Sequence, residues 1–174
     1  IFGITATPND AYRYAKGDGI MHPMGYEMKL REPLDFYSVT DHGFFMGMLN
    51  AWSDTSTDIS QKDFAKPFHD LNRVENLTAE SAGPRSALFS TILGGTVTQT
   101  YSDLSPNVLK AWLTKNTQTA LKSFDYEIHK SAWEDVARAA NEHNDPGHFT
   151  TFIGYEFTTS TNVEGGTLHR NVIF

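Results

Sequence analysis

The chain contains no cysteine, so neither a disulfide nor a thiolate metal site contributes to its fold or its chemistry. It also has no basic stripe: the net charge is −7, and the acids and bases are scattered. Phosphate backbones are bound by clustered Lys and Arg, so nucleic acid is not an expected partner. The longest apolar runs, such as FFMGML at 44–49, fall far short of the roughly 20 residues a membrane span needs, and no membrane partner is expected. No basic region followed by an apolar stretch marks a secretory leader, and the compartment, periplasmic or cytoplasmic, stays open. The G-x-S-x-G elbow, the Walker A sequence and H-E-x-x-H are all missing. What is present is an ordinary globular composition, 39% hydrophobic and 13% aromatic over 174 residues, enough for one domain with a core.

Punctuation and periodicity divide the chain. In TATPNDAYRYAKG, Thr7 precedes Pro8 at a first helical position, Asp10 completes a T-x-x-D pattern, and Gly17 is a natural stop, which predicts a short helix. GIMHPMGYEMKLREP reads as a loop or loose hairpin turning at Pro23 and Gly25. LDFYSVT is a strand, after which Phe44, Phe45, Met48, Leu49 and Trp52 recur at helical spacing. Leu71, Val74 and Leu77 predict one helix, SALFSTIL closed by a glycine pair a second, and the segment from Ser105-Pro106 a third. SAWEDVARAANEHN has a capping pattern at Ser131 and Glu134 and an apolar stripe of Trp133, Val136, Ala137 and Ala140. HFTTFIGYEFTTS is a strand with a glutamate near its end, TNVEGGT a glycine-rich loop, and LHRNVIF a final strand. Strands separated by helices predict an α/β fold with a largely parallel sheet. The apolar ends, IFGIT and NVIF, read as those of an internal segment of a longer polypeptide.

The chemistry concentrates where strands end. Asp41 and His42 close one strand, Glu156 closes another, and His169 begins a third. In α/β proteins such positions carry side chains out of the core toward ligands. Imidazole and carboxylate together are a ligand set for zinc, manganese or iron without any thiolate. Each residue taken alone has a plainer explanation, because a single histidine at a strand end is more often a turn or a satisfied polar group. Arg170 is placed to pair with an anionic substrate group or with a surface carboxylate. His22 reads as a turn residue, His143 and His148 as helix-end and solvent-exposed residues, and His69 and His129 as surface residues.

These stretches carry a resemblance. DFYSVTDHG resembles the strand-end T-D-H motif of the PHP (polymerase and histidinol phosphatase) superfamily of metal-dependent phosphoesterases. FIGYEFT is similar to that superfamily's strand ending in glycine, any residue, glutamate, and LHRNVIF to its next strand, which brings a further ligand histidine. TPNDAYRYAKG, HPMGYEMKLREPLDFYSVTDH and NDPGHFTTFIGYEFTTS resemble more closely a bacterial domain-of-unknown-function family, number 3604, distantly related to PHP proteins. The resemblance implies part of a distorted PHP-type, TIM-like β/α barrel, with barrel segments at 1–52 and 148–174 and a helical insertion at 53–147. It also implies His42, Glu156 and His169 as ligands of divalent ions (Zn or Mn, with Fe as a third candidate), and Asp41 as a catalytic residue that is itself a ligand or supports one. The His-x-His strand that opens PHP proteins and the Asp-x-His pair that closes them do not occur in this sequence. The function implied is hydrolysis of a small phosphate or similar anionic ester by a metal-activated water. The alternative is a non-catalytic, barrel-like binding or structural protein with an incomplete metal site.

Overall fold

The computed structural model describes residues 4–22, 25–71, 73–76, 78–92, 122–159 and 168–174. Helix α1 (Pro8–Ala15) begins as its sequence dictates. Asp10 N–H donates to Thr7 Oγ1 at 3.2 Å, and Thr7 N–H donates back to the Asp10 carboxylate at 2.9 Å. Reciprocal bonds of this kind satisfy donors that the first helical turn leaves without partners. The expected hairpin is a two-stranded antiparallel pair, β1 (Ile20–Met21) and β2 (Glu27–Met28), with Ile20 opposite Met28.

The principal sheet has three strands in the order β3 (Phe36–Val39), β4 (Thr150–Thr159), β5 (Leu168–Ile173). β3 and β4 run parallel, with Val39 beside Ile153, so the two strands open at the same end. β5 is antiparallel to β4, pairing Glu156 with Asn171 and Thr158 with His169. The sheet is therefore mixed rather than largely parallel. The α/β content is as expected, but the described strands form two small sheets and do not close a barrel.

One face of this sheet is covered by helices. α1 and the long helix α4 (Tyr126–His143) pack against it, burying Tyr12, Ala15, Val39, Ala139, Ala140 and Phe149. Tyr12 is fully buried and ties three elements together: its hydroxyl donates to Phe152 O of β4 at 3.2 Å and accepts from Val39 N–H of β3 at 3.3 Å. Burial holds its phenol above the usual tyrosine pKa, the bond from Val39 opposing that shift. A second cluster centres on Trp52 in α2 (Met48–Ser53), ringed by Phe45, Phe64 and Phe68 at 5.2–5.6 Å between centroids.

Three helix expectations change. The Phe44–Trp52 periodicity yields a helix only from Met48, because Phe45 (φ 54°) and Gly47 (φ 77°) take left-handed conformations that no α-helix continues through. Around Leu71 and Val74 the described residues form no α-helix but a pair of single 3₁₀ turns, Lys66–Phe68 and Val74–Asn76, separated by Asp70 at φ 57°, and Leu77 lies outside the described residues. α4 starts five residues before the Ser131 pattern: Asp125 is the cap, its carboxylate accepting from Glu127 N–H and Ile128 N–H. The SALFSTIL helix is α3 (Ala82–Ile92). The glycine pair after it, the helix expected from Ser105, and the loop TNVEGGT lie outside the described residues.

Candidate metal centre at the strand ends

β4 continues beyond the end of β3, and the chain leaving β3 stays against it for three more residues. Glu156 N–H donates to Asp41 O and Gly43 N–H donates to Glu156 O, both at 2.8 Å, which sets His42 beside Glu156. Two glycines permit this approach. A Cβ on Gly43 would stand 2.9 Å from the Tyr155 ring, and one on Gly154 would stand 2.9 Å from Val172 O and 2.8 Å from Ser38 Oγ. The second obstacle includes backbone, which cannot swing aside, so the position beneath the site accepts glycine alone.

Alternation along the strands then decides which side chains meet. Glu156 and Thr158 of β4 project to one face, joined across the ladder by His169 of β5 and along the parallel edge by His42. His42 Nδ1 lies 2.8 Å from one carboxylate oxygen of Glu156, and His169 Nδ1 lies 2.6 Å from the other. Thr158 Oγ1 sits between the rings, 2.9 Å from His42 Nδ1 and 3.3 Å from His169 Nδ1. A carboxylate oxygen accepts, so a hydrogen bond from either ring to the Glu156 carboxylate takes the tautomer with N–H at Nδ1. Neither Nε2 makes a hydrogen bond among the described residues. The side chains of His42, Glu156 and His169 are 47%, 20% and 49% exposed, so the cluster is open to solvent.

The residues singled out in the sequence thus separate. His42, Glu156 and His169 come together, with one donor atom from each within 4.8 Å of the others. Asp41 does not join them. It lines a different cavity, on the helix-covered side, with Thr7, Asn9 and Arg138. Asp41 is exposed as a residue, yet the protein atoms around its carboxyl raise the pKa by desolvation, His42 acting in the opposite sense. Arg170 pairs with Phe157, one position along from His169, and so projects from the other face. Two contributors escaped the sequence reading. Thr158 bridges both imidazoles, and the period-two step from Glu156 was the signal that would have found it. Phe44 packs its ring 4.9 Å from that of His42, which no local pattern announces.

The remaining histidines are structural. His22 stacks on Tyr26, and His143 Nε2 lies 2.6 Å from Asn9 Oδ1 while its ring stacks on Tyr12. His148 is exposed beside Asp145. His69 and His129, expected at the surface, are half-buried: His69 Nε2 bonds with Ser60 O, and His129 packs on Phe124 with its Nδ1 buried and without a hydrogen bond.

Fold and site together describe an α/β protein whose mixed sheet gathers two histidines and a glutamate at one end. The whole chain, residues 1–174, matches the family described as Protein of unknown function (DUF3604), and it belongs to that family. No curated protein and no solved structure matches it. Among the described residues, no helix is long and apolar enough to cross a membrane.

Proposed function

We propose that His42, Glu156 and His169 belong to the divalent-metal site of a PHP-type hydrolase that cleaves phosphate or similar anionic esters. The observation that carries this reading is the convergence of the three donors from three separate backbone segments. The donor set fits: two imidazole nitrogens and a carboxylate oxygen suit zinc, manganese or iron. A divalent ion would supply Lewis acidity and a nucleophile competent at neutral pH.

The chain's own residues have definable tasks. Glu156 supplies the negative charge that balances a cation and fixes the orientation of both imidazoles through its two oxygens. Thr158 contacts the same two Nδ1 atoms and helps to hold those rings. In the reaction the oxygen of water joins phosphorus, the phosphorus–oxygen bond to the alcohol breaks, and the alcohol leaves with a proton. Hydrolysis of 4-nitrophenyl phosphate tests this, after chelation and then titration with manganese or zinc. The reading requires turnover that disappears on chelation, returns with metal, and is abolished in Glu156→Gln. Turnover unchanged after complete metal removal would refute it.

One observation favours the rival, a non-catalytic binding or structural protein. Glu156 already partners both Nδ1 atoms, so the three side chains hold one another without an ion. Absence of hydrolysis under every metal, with the fold intact, would decide for that reading.

A further inference from the structure

A cavity of about 380 Å³ opens beside the His–Glu–His cluster, between α4, the turn after β3 and the end of β4. Its walls are Phe44 and Met46 from the turn after β3, His129 and Trp133 from α4, and Tyr155 and Phe157 from β4. No Lys or Arg is among its described lining residues, so the cavity offers an anion no fixed positive charge. The volume lies in the range of small-molecule sites, near the lower end, where a ring with a few substituents fits. Trp133 and Tyr155 meet edge to face at 5.9 Å between centroids, presenting aromatic surface from two elements.

Two contacts connect the cavity to the cluster. Glu156 and Thr158 contribute to its lining, and the Phe44 ring rests 4.9 Å from that of His42. We infer that this cavity is the subsite for the uncharged aromatic alcohol portion of the ester, whose anionic centre lies at His42, Glu156 and His169. The inference rests on the hydrolase reading for the ester, but the subsite has its own test. A flat ring gains by stacking on Trp133 and Tyr155 and loses no ion pair on entry, whereas an anion would enter without a counter-charge.

The test uses 4-methylphenol, uncharged at neutral pH, as the probe and the metal-free chain, followed by the indole N–H resonances of the tryptophans in a titration. Trp133 is identified by its loss in Trp133→Phe, and Trp52, buried in the other cluster, is the internal control. Saturable movement of the Trp133 resonance with Trp52 unmoved is expected. Trp133→Leu, and independently the exposed-strand variant Phe157→Thr, should each weaken binding about five- to tenfold, the loss of one aromatic contact. No saturable shift at Trp133, or an affinity that neither variant changes, would overturn the subsite. Saturable binding in a protein that takes up no metal and cleaves no ester would leave the subsite standing and remove the hydrolase reading instead.

Discussion

At the scale of single residues, the site is a set of donors held by alternation. His42 and Glu156 were legible in the sequence because each stands where a run of strand-forming residues gives out. His169 was legible only as the start of a strand, and its partnership with Glu156 depends on the antiparallel register of β5, which no local pattern encodes. The same register explains why Asp41 and Arg170 fall away from the cluster: each neighbours one of its histidines in sequence, and neighbours in a strand point to opposite faces. Thr158 is where this account is most exposed at residue scale. Replacing it by Val keeps the shape and the strand preference but removes the hydroxyl between the imidazoles. Zinc affinity, measured by competition with a chromophoric chelator, should fall about 10- to 100-fold, as for other groups that orient metal ligands. An unchanged affinity would mean that Thr158 merely fills the gap.

At the scale of elements, start signals were read well where the chain had one choice and poorly where it had several. The T-x-x-D pattern at Thr7 follows a non-helical stretch and precedes Pro8, so only one start was available. α4 offered both Asp125 and Ser131 as caps. Ser131 has a glutamate three residues on, but it lies inside a helix already begun at Tyr126, where its capping geometry has no use. His143 near the end of α4 gives this scale its prediction. Burial, chiefly, and the nearby Lys16 hold its pKa below the ordinary value of 6.5, with Glu142 opposing. A histidine with a depressed folded pKa favours the native state fully above the unfolded pKa. That contribution declines as pH falls below about 6.5, where the unfolded chain takes up the proton first. Urea melts of wild type and His143→Gln should therefore show wild type losing stability relative to the variant as pH falls below about 6.5. Parallel pH profiles would show that His143 does not titrate in this way.

At the scale of the whole molecule, the sequence conveyed the class but not the arrangement. Alternating helices and strands gave α/β correctly. The parallel β3–β4 pairing follows from two strands whose polar residues collect at the same end. The antiparallel return of β5 was missed, because strand direction depends on a connection whose path composition does not reveal. The left-handed residues Phe45 and Asp70 were equally invisible, since nothing in hydrophobic spacing marks a positive φ at a Phe or an Asp. These features decide what lies at the open end of the sheet: one face is sealed by α1 and α4, and the other presents the His–Glu–His cluster to solvent.

The central claim is that this cluster binds a divalent cation through Glu156, and thermal melting with and without zinc or manganese addresses it most directly. A ligand bound only by the native state at 100 times its dissociation constant stabilises by about 2.7 kcal/mol. For a chain of this length that corresponds to a rise in Tm of about 5 to 10 °C. Wild type should show that rise, it should vanish on chelation, and Glu156→Gln, folded and melting cooperatively without metal, should show none. A wild type whose Tm does not respond to either metal, or a Glu156→Gln variant that responds equally, would contradict the account.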